Sequence, residues 1–264
     1  MELRGRTALV TGATGGLGQA IARGLAQRGA VPVLTGRRAE VLQVLAAETG
    51  GRAIGCDLAD AADLERLLDE AGDVDVLIAN AGLPGSGHLT TFSVEEIDRA
   101  IAVNLRAPMV MARRLAEPMT ARGSGHMVFM SSLSGKAASG GGSVYSATKF
   151  GLRGFAHALR EDLRGTGVGV SVVLPGFISE AGLFHDANVD LPAWVATRTP
   201  DDVARAVIGA IERNRLEVDV APLSLRVGAL FAGAAPRLSA SVQRRLGAGK
   251  IAEQYERGQR DKRA

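Results

Sequence analysis

Seven short apolar or β-branched runs punctuate the chain: TALVT (7–11), VPVLT (31–35), RAIGC (52–56), VDVLIA (74–79), GHMVFMS (125–131), GVSVVL (169–174) and EVDVA (217–221). Between them lie stretches whose apolar residues return every three or four positions, such as LGQAIARGLAQRG (17–29) and SVEEIDRAIAVNLRAPMVMARRLAEPM (93–119). Short continuous apolar runs read as buried strands and the longer period as helices. The alternation predicts an α/β fold: a doubly wound parallel sheet of about seven strands with helices on both faces. Ligands of such sheets sit beyond the carboxyl ends of the strands, so the loops that follow each strand are where chemistry is expected.

Composition narrows this picture. With 264 residues, 46% of them apolar, the chain can fill one large core or two small ones. No linker, repeat or change of composition divides it, so a single domain over 1–221 is expected, including a substrate lid at about 178–198. A helical extension over 222–264 would pack on that domain or at an interface. TPDD (199–202) marks one helix start, with Thr199 as cap, Pro200 in the first turn and two aspartates at the positive dipole end. One cysteine, Cys56, permits no internal disulfide, and the chain opens on the charged MELRGR. A reducing, cytoplasmic setting is the expectation. No apolar run approaches the roughly 20 residues of a membrane-spanning helix, and the histidines show no metal-binding pattern.

The net charge of +3 is unevenly spread. Residues 222–264 hold nine Lys/Arg against three Asp/Glu, a local +6 that leaves −3 for the remainder. The tail has one aromatic after Phe231 and no recognition motif, so nucleic acid is not an expected partner. It reads as two short helices broken near Pro236, apolar on one side and basic on the other. Three roles compete: cover for a substrate cleft, an oligomer contact, or peripheral contact with an anionic membrane, the last ranked below the other two.

TGATGGLGQA (11–20) follows the first strand and runs into a helix. Glycines at 12, 16 and 18 let the turn close, let backbone approach a pyrophosphate and aim the helix N-terminus at its charge. At the end of the second strand, LTGRRAE offers Gly36, Arg37 and Arg38. An acid there would favour the ribose hydroxyls of NAD, whereas a guanidinium suits a 2′-phosphate in charge and geometry. The arginines favour NADP(H) over NAD(H); two solvated surface arginines at a helix start are the alternative.

SGGGSVYSATKFG (139–151) places Tyr145 and Lys149 four residues apart, on one face of a helix. A neighbouring cation favours the phenolate of tyrosine and would bring its pKa down from about 10, making it a usable general acid and base. Ser132, in FMSSLSG after the fifth strand, precedes Tyr145 by a glycine-rich segment. A hydroxyl at a strand end and a phenol at a helix start can converge on one carbonyl oxygen.

In this order the motifs resemble those of the short-chain dehydrogenase/reductase family, over about residues 5–221. TGATGGLG resembles the family's cofactor loop, bringing in Gly12, Thr14, Gly15, Gly16, Leu17 and Gly18. CDL puts Asp57 and Leu58 where the family contacts adenine, and ANAG resembles its NNAG motif, with Asn80, Ala81 and Gly82. Asn104, Ser132, Tyr145 and Lys149 match its catalytic set. PGFIS, through Pro175, Gly176, Ile178 and Ser179, resembles its motif beside the nicotinamide. Ala79 replaces the usual first asparagine, and Ser179 stands where threonine is usual. The loop also fits the TGxxGxxG spacing of longer sugar-nucleotide epimerases, but only residues 176–264 follow Pro175, which suits the shorter type.

The resemblance implies a Rossmann-like fold, an NADP(H)-dependent oxidoreductase, and a homodimer or homotetramer. Ser132 would orient the substrate oxygen, Tyr145 would exchange its proton, Lys149 would hold the cofactor ribose and depress the tyrosine pKa, and Asn104 would anchor a water linking Lys149 to solvent. The lid carries Leu183, Phe184, Leu191 and Trp194, which suggest an apolar or bulky carbonyl or alcohol substrate. A catalytically silent cofactor-binding scaffold is the rival, and relatives of that kind usually lack the tyrosine or the lysine.

Overall fold

Strands β1 (Thr7–Thr11), β2 (Val31–Gly36), β3 (Arg52–Gly55), β4 (Val76–Ala79), β5 (Gly125–Met130), β6 (Val168–Pro175) and β7 (Glu217–Val220) pair in the order β3-β2-β1-β4-β5-β6-β7. All pairs are parallel. They lie within two residues of the ends read from the apolar runs. The coordinates are a computed structural model that describes residues 1–183, 195–245 and 248–259.

Period-two alternation sends each strand's side chains to opposite faces. Ala8, Val10, Leu34, Ile78, Val128 and Val173 pack with Ile21 and Leu25 of α1 (Gly16–Gln27), Leu42 and Leu45 of α2 (Ala39–Thr49) and Val203, Val207 and Ile211 of α7 (Pro200–Glu212). Leu9, Val33, Leu77, Phe129 and Val172 face the other way, toward Leu64 and Leu67 of α3 (Ala61–Ala71), Met111 and Leu115 of α5 (Ala107–Arg122) and Leu152 of α6 (Ser143–Asp162). Both faces being covered explains why the central strands are mostly apolar rather than alternating, whereas the edge strands β3 and β7 carry Arg52, Glu217 and Asp219. Thr199 caps α7 as expected, its hydroxyl accepting from Asp202 N at 3.2 Å while Asp202 returns a bond to Thr199 N.

The long helical segment read at 93–119 is interrupted. After α4 (Val94–Ile101), a π-helical turn spans Ala102–Arg106 before α5 continues the same path, and Ala107 N–H reaches back five residues to Ala102 O. Such a wide turn inserts a residue and re-aims the side chains on it. Asn104 is one of them.

Buried within the sheet, His126 places Nε2 2.8 Å from Ser171 Oγ. The Ser171 hydroxyl donates to Arg215 O, so it accepts from the imidazole. Burial pushes the His126 pKa down to about 3, with the N-terminal ammonium and Arg160 adding to the effect. Between its usual 6.5 and 3, the unfolded chain takes up a proton here that the folded chain refuses, so stability falls as pH drops through that window. At pH 5 this group alone is expected to cost about 2 kcal/mol relative to neutral pH. Urea unfolding of His126→Gln at both pH values should show that part of the loss removed.

Candidate active site

A cavity of about 970 Å³ opens along the carboxyl edge of the sheet and contains the point between β1 and β4 where the strand order reverses. Its near end is the loop from β1 to α1. Gly12 adopts φ +64°, and a side chain there would come within 2.8 Å of Ala81 Cα in the loop after β4. A Cβ on Gly18 would meet Gly12 O at 2.2 Å. These glycines let two loops and a helix start share one small volume.

The same corner is fastened from the fourth strand. Thr11 Oγ1 accepts from Asn80 N and Ala81 N, each at 3.0 Å, and the Asn80 amide donates to Thr11 O at 2.9 Å. Helix α1 begins at Gly15 with no side-chain cap and no acid in its first turn, whereas α3, α4 and α7 carry caps from Asp60, Ser93 and Thr199. Uncapped amides at the positive end of a helix, over a wall of glycine backbone, fit the pyrophosphate of a dinucleotide.

Beyond β2, Arg38 is the N-cap residue of α2, and its guanidinium donates to Thr14 O in the first loop. Arg37 is exposed at the rim of the cleft. Asp57 stands close by with Leu58, its carboxylate 2.8 Å from the Arg99 guanidinium. Burial opposes ionisation of Asp57, but the hydrogen bonds from Arg99 and Ala59 N, helped by the charge of Arg37, keep its pKa below the usual range. Arg99 was not anticipated. It lies on α4, 42 residues from Asp57, and no motif marks it. The corner therefore carries three guanidiniums, of Arg37, Arg38 and Arg99, with the carboxylate of Asp57 paired to the last of them.

The middle of the cleft gathers Ser132, Tyr145 and Lys149 from β5 and α6. Ser132 Oγ accepts from Ser134 N at 3.1 Å, which starts a 3₁₀ turn, and it hydrogen-bonds the Tyr145 hydroxyl. Lys149 Nζ donates to Met130 O at 2.8 Å and stands 5.5 Å from the centre of the tyrosine ring. Burial pushes the Tyr145 phenol up to about 12, against a lowering from its bond with Ser132. Burial alone brings Lys149 down to about 8. The simple expectation of a tyrosine pKa lowered by its lysine is thus corrected: desolvation of the buried phenolate dominates.

Asn104 lies behind this wall, fully buried, rather than on it. Its side chain accepts from Leu83 N at 2.7 Å, donates to Leu83 O at 2.9 Å and approaches Thr148 Oγ1 at 3.4 Å. Both polar atoms of the amide hold the loop after β4, including Gly82, against α6. Pro175, Gly176 and Ile178 line the cleft at the end of β6, but Ser179 is not among the lining residues, and its hydroxyl donates to Arg198 O at 3.3 Å. The two ends of the segment read as a lid are joined by Ser179 N to Arg198 O at 2.9 Å and Arg198 N to Phe177 O at 3.0 Å. Leu183 lines the cleft; Phe184, His185, Leu191 and Trp194 fall outside the described residues.

The 3₁₀ turn after Ser132 is anchored by Lys136, which is buried with its Nζ 2.7 Å from Glu217 and 2.5 Å from Asp219 on β7. Burial opposes ionisation of Glu217, yet Arg153, Lys136 and His157 outweigh it and bring the pKa to about 2. Charge pairing of this kind fixes the serine relative to the far edge of the sheet.

The tail also reaches the cleft. Helices α8 (Leu223–Ala234), α9 (Pro236–Arg245) and α10 (Ala248–Gln259) contribute Leu225, Ala229, Phe231, Ser239, Tyr255 and Gln259 to its walls. The Gln259 amide donates to Leu183 O, and Glu256 accepts from His88 N at 3.2 Å. The sequence left cleft cover as one of three roles, because apolar periodicity says that a helix packs without saying on what.

The family model for short chain dehydrogenases matches residues 6–190. A ketoacyl reductase, HetN, of Nostoc sp. (strain PCC 7120) is 40% identical over 228 residues, covering 83% of this chain and 79% of its own. The 3-oxoacyl-(acyl-carrier-protein) reductase FabG of Escherichia coli (strain K12) is 32% identical over 206 residues, covering 76% of this chain and 84% of its own. Among solved structures, a short-chain dehydrogenase from Sphingobium yanoikuyae in complex with NADPH superposes with a TM-score of 0.76 at 31% identity, covering 89% of this chain and 95% of that one.

Proposed function

The chain belongs to the short-chain dehydrogenase/reductase family, an NAD(P)-binding oxidoreductase family acting on carbonyl and hydroxyl groups, and from that premise we propose an NADP(H)-dependent reductase of apolar or bulky ketones in which Tyr145 exchanges the proton. The observation that carries this reading is the convergence of Ser132, Tyr145 and Lys149 on one cleft whose other end is the uncapped start of α1. The bound nicotinamide supplies the hydride, or accepts it in the reverse direction.

The chain's own residues do the rest. The α1 amides and the glycine loop hold the pyrophosphate; Asn80, Ala81, Pro175 and Gly176 shape the floor. Ser132 donates to the substrate carbonyl oxygen, polarising it, and Tyr145 delivers its proton to that oxygen as the carbon accepts hydride. A phenol whose pKa is about 12 stays protonated at neutral pH, the form that reduction needs. Oxidation needs the phenolate, so its rate should climb with pH toward that value. Lys149 supplies positive charge beside the ribose and the ring. Asn104 acts as a positioning residue through Leu83 and Thr148. A silent scaffold would have no use for a complete Ser–Tyr–Lys set, and the two reductases among this chain's relatives point the same way.

NADP(H) is favoured over NAD(H) by the guanidiniums of Arg37, Arg38 and Arg99 at the adenosine corner, and by the NADPH carried by a solved relative. Arg37, exposed at the rim of the cleft directly after β2, is the residue expected to meet the 2′-phosphate. Replacing it by aspartate removes a charge-assisted bond and introduces repulsion. The ratio of kcat/KM for NADPH to that for NADH should fall about 10- to 100-fold in Arg37→Asp; an unchanged ratio would exclude this residue from coenzyme choice. We place the enzyme in the cytoplasm, as a single domain with its tail folded over the cleft, working as a homodimer or homotetramer. Among the described residues no helix is long and apolar enough to cross a membrane.

A further inference from the structure

Helix α8 is apolar on two sides. Its inner side, with Leu225, Gly228 and Ala229, walls the cleft. Leu223 (71% exposed), Val227, Leu230 (63% exposed) and Phe231 fall at i, i+4, i+7 and i+8, one stripe along the outer side, and Leu238 of α9 is exposed as well. Only Ala229 and Ala232 of the whole helix are buried. A helix of this character needs something on its outer face.

The charge around the stripe says what. From Val220 to Ala252 the sequence holds no aspartate or glutamate, while Arg226, Arg237, Arg244, Arg245 and Lys250 are basic. Arg237 and Arg244 are exposed on α9, the helix that follows, and Arg226 is exposed on α8 itself with Asp219 3.7 Å from its Nε. A second copy seated on this face about a two-fold axis would bring basic residues against basic residues. An anionic lipid surface accepts both features, its headgroups meeting the arginines and its acyl boundary the leucines, valine and phenylalanine.

We propose that the outer face of α8, with the start of α9, docks the protein peripherally on an anionic bilayer, setting the α8 wall of the cleft against the lipid. Phe231 lines the cleft and is 46% exposed at the end of the stripe, so an apolar substrate would have a route from the acyl boundary inward. Docking itself does not depend on the reductase reading; only the route of the substrate does.

The full chain should pellet with vesicles of equal parts phosphatidylglycerol and phosphatidylcholine and stay in solution with phosphatidylcholine alone. Roughly 1 M salt, where the screening length falls to about 3 Å, should weaken the binding. The double variant Leu223→Glu/Leu230→Glu, changed at two positions that do not line the cleft, should lose at least about tenfold in partitioning while keeping NADPH binding and thermal unfolding unchanged. Failure of the full chain to pellet with the anionic vesicles overturns the proposal, as does a double variant that binds them equally well. So does a dimer in sedimentation velocity that the double variant dissolves and that anionic vesicles fail to disperse, because a second copy then owns the face. Ketone reduction by the soluble enzyme, measured without vesicles, tests the reductase reading separately.

Discussion

Tyr145→Phe is expected to reduce turnover of a ketone panel by about 10²- to 10⁴-fold, the range that a positioned general acid contributes. The substitution deletes one hydroxyl and keeps the ring that lies 5.5 Å from Lys149 Nζ, so the wall of the cleft should survive. NADPH binding, followed by its fluorescence, should stay within about twofold of the parent. The pH dependence separates proton transfer from packing. Alcohol oxidation by the parent should rise with pH as the phenol, pushed up to about 12 by burial, begins to ionise. In Tyr145→Phe the residual rate should lose that rise. Activity within tenfold of the parent would place the proton donor elsewhere, with Ser132 the next group to examine.

The second large effect concerns one methyl group. In Gly18→Ala the added carbon would stand 2.2 Å from Gly12 O and 2.8 Å from Ala13 Cα, both backbone atoms of the loop proposed to face the pyrophosphate. Neither can rotate away, so α1 or the loop has to move. Overpacking of this kind costs about 1–3 kcal/mol of stability. A displacement near 1 Å in a positioning element costs on the order of 100-fold in kcat/KM. Gly154→Ala supplies the contrast. It is an exposed glycine within α6 with nothing within 4 Å of the new carbon, and there the same change should stabilise by about 0.5–1 kcal/mol. Urea unfolding of both variants, with NADPH kinetics for the first, tests the pair. A benign Gly18→Ala would mean that the first loop does not pack as closely as its geometry requires.

Much of the site was legible because its parts are local. The glycine loop needs a strand before it, a helix after it and residues without side chains at fixed offsets, and all three are written consecutively in residues 7–27. Tyr145 and Lys149 announce themselves as neighbours because four residues is one helical turn. The order of motifs added Ser132, Asn80 and Pro175, each the end of a strand read correctly from its apolar run. Arg99 shows the opposite case. Its meeting with Asp57 joins residues 42 apart across two elements, and neither position carries a pattern that names the other. Asn104 was named without its means: the π turn at Ala102–Arg106 that re-aims it interrupts a stretch whose periodicity reads as one helix.

Ser179 and the tyrosine pKa mark a second kind of limit. A hydroxyl in the right motif was expected to face the cofactor, yet it bonds Arg198 O, because residues 177–179 pair with the backbone of Arg198. A lysine one turn away was expected to lower a phenol's pKa, yet burial raises it, and burial is a property of everything packed around a group. By itself, the sequence determined what depends on spacing along the chain: strand and helix identity, the parallel sheet, the nucleotide loop and the Ser–Tyr–Lys set. Only the tertiary structure decided what depends on distance through space, namely the meeting of Arg99 with Asp57, the burial that sets the pKa of Tyr145 and the tail helices over the cleft. Local periodicity fixes which way a side chain leaves the backbone, and only the folded chain fixes what it meets.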